Sequence, residues 1–444
     1  MSKIQYKNYL LILLTLVGVS NFLDRQILAL ALESIKHDFD LSDVQLGFLS
    51  GFAFALFYAL AGVPIARWAD RGNRNIIVSV TAGLWGIMLL LCGLVGNFTQ
   101  LLLVRVGVAV GEAGCVPPAQ SLIADYFDRS ERPHAMAIYW LCSPLAVLIG
   151  FLIGGWLIEL MGWRNTFMVM GGVGIILAVL ARLTLREPRV ARPTRSVVAP
   201  PSFRSVFTLL WQQATFRCVV VAFCVAYFFT SGLIQWLPSF FIRSYGMTAG
   251  EVGAWLAVLW GLGGLIGTYV GGILASRYAR DNEALQMKAC AVVFSLGGLF
   301  YILLFLSSSQ HQAMIYLAFL GLLTTMCNGV IFSAIQSLAN EHMRSTALAV
   351  IFLLANLIGF GLGPIATGLL SDLLNPMFGQ ESLRYALTAF SPGLIWSGYY
   401  YWKASGTIEA DIESVESQAD SIEEARIAQE LDTQNKKQRV LFDR

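Results

Sequence analysis

Long apolar stretches alternate with short polar segments along most of the chain. A helix that crosses a bilayer needs about 20 mostly apolar residues, and twelve windows meet this requirement: 8–32, 44–66, 75–97, 100–124, 134–159, 164–185, 213–242, 249–276, 285–307, 311–340, 344–374 and 383–402. Backbone groups find no water at bilayer depth, so the windows must be helical, and they are too uniformly apolar for barrel strands. The pattern predicts twelve transmembrane helices.

Composition agrees with this prediction. The chain has 444 residues, of which 56% are hydrophobic and only 13% are charged, and its mean hydropathy is +0.65. A soluble domain of average make-up is far less apolar. We therefore expect an all-α integral membrane protein that acts as a monomer among membrane lipids and binds no nucleic acid.

The positions of Lys and Arg predict the orientation. If the N-terminus lies inside, the inner segments hold most of the 30 Lys and Arg residues. The positive-inside rule therefore assigns both termini to the cytoplasm, and we expect a bacterial inner membrane. The first apolar run is interrupted by Asp24 and Arg25 and lacks a small-residue cleavage pattern, so no cleavable signal is expected. The outer segments hold four basic residues: Lys36, Arg164, Arg243 and Arg384.

Cysteine and histidine give no sign of a metal or cofactor site. All seven cysteines fall within predicted helices without a C-x-x-C pair, and the four histidines lie apart near helix ends. Such cysteines are typical of small apolar packing residues rather than of a disulfide framework. We expect no metal, no cofactor and no catalytic residue.

The chain divides into two bundles. Residues 1–185 and 213–404 each contain six predicted helices, and the segment 186–212 between them is rich in Arg and Pro, as expected of a basic cytoplasmic linker. Residues 405–444 are polar and highly charged, which predicts a solvated cytoplasmic tail.

The two bundles resemble repeats of each other. A shift of 206 residues aligns Ser42-x-x-Gln45 with Thr248-x-x-Glu251, which are capping-box patterns at the starts of helices 2 and 8. A shift of 216 aligns Gln-Ser-Leu at 120–122 with the same triplet at 336–338. Two pseudo-symmetric six-helix bundles in parallel orientation are typical of transporters that hold substrate between the halves.

The segment GVPIARWADRGNRN, residues 62–75, resembles the G-x-x-x-D-R-x-G-R-R motif of the major facilitator superfamily, although Ala66 and Asn73 replace two of its glycines. The resemblance implies the twelve-helix fold of that family. It also implies that the charges of this loop hold the cytoplasmic ends of the halves together in the outward-facing state. The expected members of this conformational latch are Asp70, Arg71, Arg74, its partner Asp125, and Arg277 in the second-half copy.

Three further segments resemble the Spinster family within that superfamily: NFLDRQIL at 21–28, RVGVAVGEAGCVPPAQSLIADYF at 105–127 and MGWRNTF at 161–167. They lie in the first half of the chain. The resemblance implies transport of a lysophospholipid or of a lipid similar to sphingosine phosphate.

Four ionisable residues fall within predicted membrane helices: Asp24 and Arg25 in helix 1, and Arg105 and Glu112 in helix 4. Such residues are costly unless they are paired or face water, so they are candidate functional residues. We expect Asp24 and Glu112 to couple transport to protons, and Arg25 and Arg105 to bind an anionic headgroup in two-pronged fashion. The alternative is a neutral salt-bridge network that only fixes helix 1 against helix 4.

The second half offers hydrogen-bonding groups in place of charges. The shift of 206 places Ser231 opposite Arg25, and the shift of 216 places Asn328 opposite Glu112. Proton chemistry is therefore expected in the first half alone. The remaining candidate substrate contacts are Asn21 in helix 1 and Tyr227 and Gln235 in helix 7.

These observations predict a proton-coupled, alternating-access transporter for an amphipathic lipid. An organic-anion symporter or a drug exporter of the same fold is the first alternative, and a lipid-sensing receptor or channel is the second. An enzyme is not expected, because the sequence shows neither a nucleophile–base pair nor a metal constellation.

Overall fold

The computed structural model describes residues 3–188, 203–279, 282–339, 343–415 and 417. Within these ranges the chain is helical and contains no strand. Ten continuous helical stretches are long and apolar enough to cross a membrane. Two of them, Arg132–Thr184 and Ile351–Ala404, have 53 and 54 residues, which is enough for two crossings each. The predicted fold of twelve transmembrane helices is thereby confirmed.

The N-terminal half contains helices 1 to 6. Helix 1 is Lys3–Phe39 and helix 3 is Arg74–Cys92. Helix 2 begins at Asp43 and ends at Arg71, and helix 4 consists of Phe98–Glu112 and Val116–Tyr126. Helices 5 and 6 comprise Arg132–Trp140 and Cys142–Thr184. They separate at Gly162, whose φ of 78° lies in the left-handed region that favours glycine.

The C-terminal half contains helices 7 to 12, preceded by the short helix Phe203–Leu210. Helix 7 is Ala214–Tyr245, helix 8 begins at Ala249 and ends at Tyr278, and helix 9 is Glu283–Leu306. Helix 10 consists of Gln310–Met326 and Asn328–Ser337, helix 11 runs from Arg344 to Phe378, and helix 12 consists of Ser382–Phe390 and Gly393–Ala404.

Helix 1 is longer than its apolar window predicts. It continues past residue 32 to Phe39, because its polar end finds partners. Lys36 pairs with Asp43 at 2.5 Å, and Asp38 accepts a hydrogen bond from the indole nitrogen of Trp163 at 2.8 Å. Polar pairing extends this helix beyond the hydrophobic length, which hydropathy alone does not detect.

Both predicted capping boxes are confirmed. Ser42 accepts from the backbone nitrogen of Gln45, and Thr248 accepts from that of Glu251. In each case the side chain of this third helical residue accepts a hydrogen bond from the backbone nitrogen of the cap residue. Helices 2 and 8 therefore begin in the same way, as the repeat of the two halves requires.

We define the distal end as the end of the molecule where helix 1 ends and helix 2 begins. The two halves pack against each other at this end. Helix 2 lies against helix 11, and helix 5 lies against helix 8. A Cβ atom on Gly47 would meet the carbonyl oxygen of Pro364 at 2.4 Å, and one on Gly253 would meet that of Phe151 at 2.2 Å. Glycine thus allows backbone-to-backbone packing at both interfaces.

Three of these four interface helices contain a π-helical segment. The segments are Phe48–Phe52 in helix 2, Leu256–Leu262 in helix 8 and Ala355–Gly361 in helix 11. Segments of this kind are rare and often lie at functional sites. Their position places backbone irregularity at the boundary between the halves.

Candidate functional site

Helices 1 and 4 are joined by two ion pairs. The Nη2 atom of Arg25 lies 2.9 Å from Oε2 of Glu112, and the Nη1 atom of Arg105 lies 2.6 Å from Oδ2 of Asp24. Each helix therefore supplies one acid and one base. With all four groups ionised the net charge is zero. We refer to Asp24, Arg25, Arg105 and Glu112 as the charge cluster.

Only one member of the charge cluster is open to an incoming molecule. Asp24 and Arg105 are each 1% exposed and Glu112 is fully buried, whereas the side chain of Arg25 is 20% exposed. Asn21 lies one turn before Arg25 and is also buried, and its amide donates to the backbone oxygen of Glu112 at 3.3 Å. In this conformation Arg25 is accessible, whereas the predicted contacts from Arg105 and Asn21 are not.

Two carboxylate oxygens of the charge cluster have no hydrogen-bond donor among the described residues: Oδ1 of Asp24 and Oε1 of Glu112. Each of the two carboxyl groups is paired with one arginine of the cluster through its other oxygen. Ionised carboxylates only accept, so a hydrogen bond between them requires a proton on one of them. Among the described residues, these two oxygens are thus the buried acceptors of the cluster that have no donor.

A break in helix 4 positions Glu112. The first segment of the helix ends at this residue, and its carbonyl oxygen accepts from the backbone nitrogen of Cys115 in a tight turn. Pro117 follows and has no N–H to continue the helical bonding. Asn328, the counterpart of Glu112 in the second half, begins the second segment of helix 10 after a comparable break.

Aromatic rings surround the guanidinium of Arg25. Its Cζ atom lies 4.6 Å from the ring centre of Phe54, 5.2 Å from Phe22, 5.4 Å from Tyr58 and 5.9 Å from Phe360. Phe22 belongs to helix 1, and Phe54 and Tyr58 lie one turn apart on helix 2. Phe360 comes from helix 11, so the C-terminal half contributes one ring to this aromatic cage. Cation–π contacts of this kind stabilise a cation away from water.

Sequence analysis did not identify the aromatic cage. The Phe-x-x-x-Tyr spacing at residues 54 and 58 places both rings on one face of helix 2, and this was the only local signal. Phe360 is separated from Arg25 by more than 300 residues, so only the packing of the two halves shows the contact.

Two of the second-half candidates, Tyr227 and Ser231, lie against helix 11. Tyr227 packs against Gly359. Ser231 donates to the carbonyl oxygen of Gly359 at 2.7 Å, so its hydroxyl stabilises helix packing in this conformation. Gln235 is 8% exposed, and Asn328 is half-buried at the break in helix 10.

Two of the predicted latch residues, Arg74 and Asp125, pair with each other within the N-terminal half. Arg74 is buried and pairs with Asp125 at 2.7 Å and with Glu187, which follows helix 6 and was missed by sequence analysis. Arg74 and Asp125 belong to the N-terminal half, and Glu187 lies at the start of the predicted linker. Arg277 is exposed and lies against the ring of Tyr278.

The side chains of the other two predicted latch residues, Asp70 and Arg71, lie outside the described part of the structure.

The fold and the charge cluster define a multi-pass membrane transporter. The profile of the Major Facilitator Superfamily matches residues 14–400, and the chain belongs to this superfamily. Its members move small substrates, so the charge cluster lies in a transport protein.

Individual relatives cover nearly the whole chain. An MFS-type efflux pump of Mycolicibacterium smegmatis is 34% identical over 417 residues, which are 93% of this chain and 94% of the pump. Protein spinster homolog 1 of Xenopus laevis is 26% identical and covers 89% of this chain and 81% of its own length. The crystal structure of a bacterial homolog to the human lysosomal transporter Spinster, in an inward-facing and unoccupied conformation, matches with a TM-score of 0.82 and 29% identity, covering 91% of this chain and 98% of that one.

The resemblance to the Spinster family is confirmed by these relatives. In this protein, the packing of helix 2 on helix 11 and of helix 5 on helix 8 closes the distal end.

Proposed function

We propose that the protein is a proton-coupled, alternating-access transporter of an amphipathic anion, such as a lysophospholipid, which binds between the halves with its headgroup at Arg25. The observation that carries the proposal is the charge cluster, in which two buried carboxyl groups adjoin one partly exposed guanidinium.

Proton binding changes the charge of the cluster. A proton shared by Asp24 and Glu112 satisfies the two oxygens that lack donors and leaves a net charge of +1. It also removes part of the negative charge that holds Arg25. An anionic headgroup then compensates for the excess positive charge, so occupancy by proton and by substrate favour each other.

The surroundings of Arg25 suit an amphipathic ligand. A guanidinium binds phosphate through two parallel hydrogen bonds, and the rings of Phe54 and Phe360 provide an apolar surface next to it. Tyr227, Ser231, Gln235 and Asn328 supply hydrogen-bonding groups from the opposite half. The resemblance to the Spinster family favours a single-chain phospholipid as the cargo.

Membrane placement and the remaining chain segments follow the sequence expectations. We place the protein in a bacterial inner membrane with both termini in the cytoplasm, so that the distal end faces outward. Residues 186–212 then form the cytoplasmic linker between bundles 1–185 and 213–404, and 405–444 form the tail. Asp70, Arg71, Arg74, Asp125 and Arg277 act as the latch only when the cytoplasmic ends close.

The direct test is flux of a labelled lysophospholipid into proteoliposomes with an imposed pH gradient. We compare the unmodified protein with Asp24→Asn, Glu112→Gln and Arg25→Ala. Glu131→Gln is the matched control, because this carboxylate pairs with Lys7 far from the cluster. We expect gradient-driven accumulation in the unmodified protein and in the control. We expect no gradient dependence in the two carboxylate variants and little flux in Arg25→Ala.

Accumulation that stays gradient-dependent in both carboxylate variants would contradict proton coupling through the cluster. If lysophospholipid is not carried but another amphipathic compound is, the cargo assignment is wrong while the coupling scheme stands. Unsaturable flux that ignores the gradient identifies a channel.

A drug exporter is the second candidate, because the Mycolicibacterium efflux pump shares 34% identity over nearly the whole chain. Amphipathic cationic compounds distinguish the two functions, since a positive cluster repels them. Proton-driven extrusion of such a cation, with no lysolipid flux, supports the exporter.

A further inference from the structure

Two carboxylates cross the boundary between the halves at the distal end. Asp372 of helix 11 accepts hydrogen bonds from the backbone nitrogens of Asp43 and Val44, at 3.0 and 2.8 Å. Glu159 of helix 5 accepts from the backbone nitrogen of Gly250 at 3.1 Å. These nitrogens belong to the first turns of helices 2 and 8, where N–H groups have no partner within the helix and the dipole favours negative charge.

The two contacts are related by the repeat of the halves. Helices 2 and 8 begin at equivalent positions, Ser42 and Thr248, and each already has a cap from its own residues. Each helix therefore has a second N-terminal cap, which is a carboxylate from the opposite half. Thr248 takes part in this second cap as well, because its hydroxyl donates to Glu159 at 3.0 Å.

Glycine makes room for both contacts. A Cβ atom on Gly250 would lie 2.1 Å from Oε2 of Glu159, and one on Gly368 would lie 2.4 Å from the backbone oxygen of Asp43. A side chain at Gly250 or at Gly368 would therefore keep the opposite half from approaching the start of helix 8 or of helix 2 so closely.

We propose that Asp372 and Glu159 are a matched pair of cross-half caps that hold the distal end closed, and that both must withdraw before this end opens. When the halves separate, each carboxylate and each helix start returns to water. The caps therefore set the balance between the two conformations without contacting cargo. This inference does not depend on the proton or on the identity of the substrate.

The two caps are unequal. Asp372 lies beside an ion-pair network in which Arg243 joins Glu33 at 2.6 Å and Asp43 at 2.7 Å. Ser371, next to Asp372, also donates to Asp43 at 2.7 Å. Here Glu33 and Asp43 come from the N-terminal half, and Arg243 and Ser371 from the C-terminal half.

Glu159 by contrast is exposed. Solvent screens and competes with an exposed contact, so the cap of helix 2 is the stronger of the two.

Distance measurements between spin labels test the proposal on the full chain. The labels are placed at Thr99→Cys and Gln380→Cys, two exposed distal positions in opposite halves. All seven native cysteines are buried. Double electron–electron resonance in nanodiscs then gives the fraction of molecules in which the two labels are close together and the fraction in which they are far apart.

The variants are Asp372→Asn, Glu159→Gln and their combination, and Asp372→Glu retains the charge. The matched control is Asp38→Asn, an acid at the same end whose polar partners among the described residues, Trp163 and Arg164, belong to its own half. Gly250→Ala displaces Glu159 without removing its charge, which provides a second route if an acid variant folds poorly.

We expect Asp372→Asn to raise the ratio of the population with a long label-to-label distance to the population with a short one about tenfold. This change corresponds to about 1.4 kcal/mol. Glu159→Gln and Gly250→Ala should raise it about threefold, and the combined acid variant should show the product of the two effects. Asp372→Glu and Asp38→Asn should show a population ratio close to that of the parent protein.

A combined variant that is monodisperse yet shows the parent distribution refutes the cross-half caps. So does an equal response of Asp38→Asn and Asp372→Asn, because it would mean that any lost charge at this end opens the protein.

Discussion

Arg25 and Glu112 form a 2.9 Å ion pair in which the guanidinium is 20% exposed and the carboxylate is fully buried. An incoming anion can therefore reach one partner of the pair, whereas the other is the one to which the proposed function assigns a proton. Because the two partners of one ion pair differ in exposure, binding of an anion to Arg25 and binding of a proton to Glu112 can each weaken the same pair.

Arg25→Lys should weaken anion transport although it keeps the charge. Lysine lacks the planar fork that binds phosphate through two bonds and fits less well among stacked rings. Loss of one charge-assisted hydrogen bond costs about 1.5–3 kcal/mol, so we expect a roughly tenfold to hundredfold rise in the apparent KM for cargo. Arg105→Lys, at a buried position, should change KM much less. Equal effects of the two variants would argue against a special role for Arg25.

Phe360→Ala should weaken the link between Arg25 and the C-terminal half. The ring lies 5.9 Å from the guanidinium and is the part of the aromatic cage that helix 11 contributes. A desolvated cation–π contact is worth about 2 kcal/mol, so cargo affinity should fall about thirtyfold. Phe360→Leu retains apolar area and Phe360→Tyr retains the ring. If leucine restores affinity as well as tyrosine does, the contribution is packing alone.

Asp24 and Arg105 should show strong coupling in stability. Removing one member of a buried ion pair leaves an unpaired charge and costs about 3–5 kcal/mol, whereas replacing both members with apolar residues is often neutral. We therefore expect Asp24→Leu and Arg105→Met each to lower the melting temperature in detergent, and the double variant to recover most of the loss. Simple addition of the two losses would show that the pair is not isolated from solvent.

Gly47→Ala should hinder closure of the distal end. The added Cβ would lie 2.4 Å from the carbonyl oxygen of Pro364, which forces helix 2 away from helix 11. Gly62→Ala is the control on the same helix, because its Cβ meets nothing within 4 Å. Labelling of a cysteine introduced at the distal interface should become several-fold faster in Gly47→Ala and stay unchanged in Gly62→Ala. Unchanged labelling in both variants would mean that the helices adjust without separating.

The Lys7–Glu131 pair should contribute a small stability that disappears in acid. The hydrogen bond from the Lys7 ammonium holds the pKa of Glu131 below its ordinary value of 4.5. The folded protein thus binds this proton less readily than the unfolded chain. The stabilisation is present above pH 4.5 and is lost as pH falls through the lowered pKa. The melting-temperature difference between the parent and Glu131→Gln should be slight at pH 7 and should shrink as the pH falls below 4.5. A difference that grows in acid would contradict this prediction.

The sequence alone determined the class of protein, the number of membrane helices and the identity of the charge cluster. Apolar length is a local property, and an ionisable residue at membrane depth stands out against its apolar neighbours, so Asp24, Arg25, Arg105 and Glu112 were found without coordinates. The capping boxes of helices 2 and 8 were equally local, since each lies within four residues.

Only the tertiary structure decided which acid pairs with which base and which group remains accessible. Arg25 has Asp24 as its neighbour in the chain, yet it pairs with Glu112, because consecutive residues point to different sides of a helix. The contact of Phe360 with Arg25 and the caps formed by Asp372 and Glu159 join residues from opposite halves. Such contacts depend on how two separately folded bundles pack, and no local pattern of hydrophobic and polar residues specifies that packing.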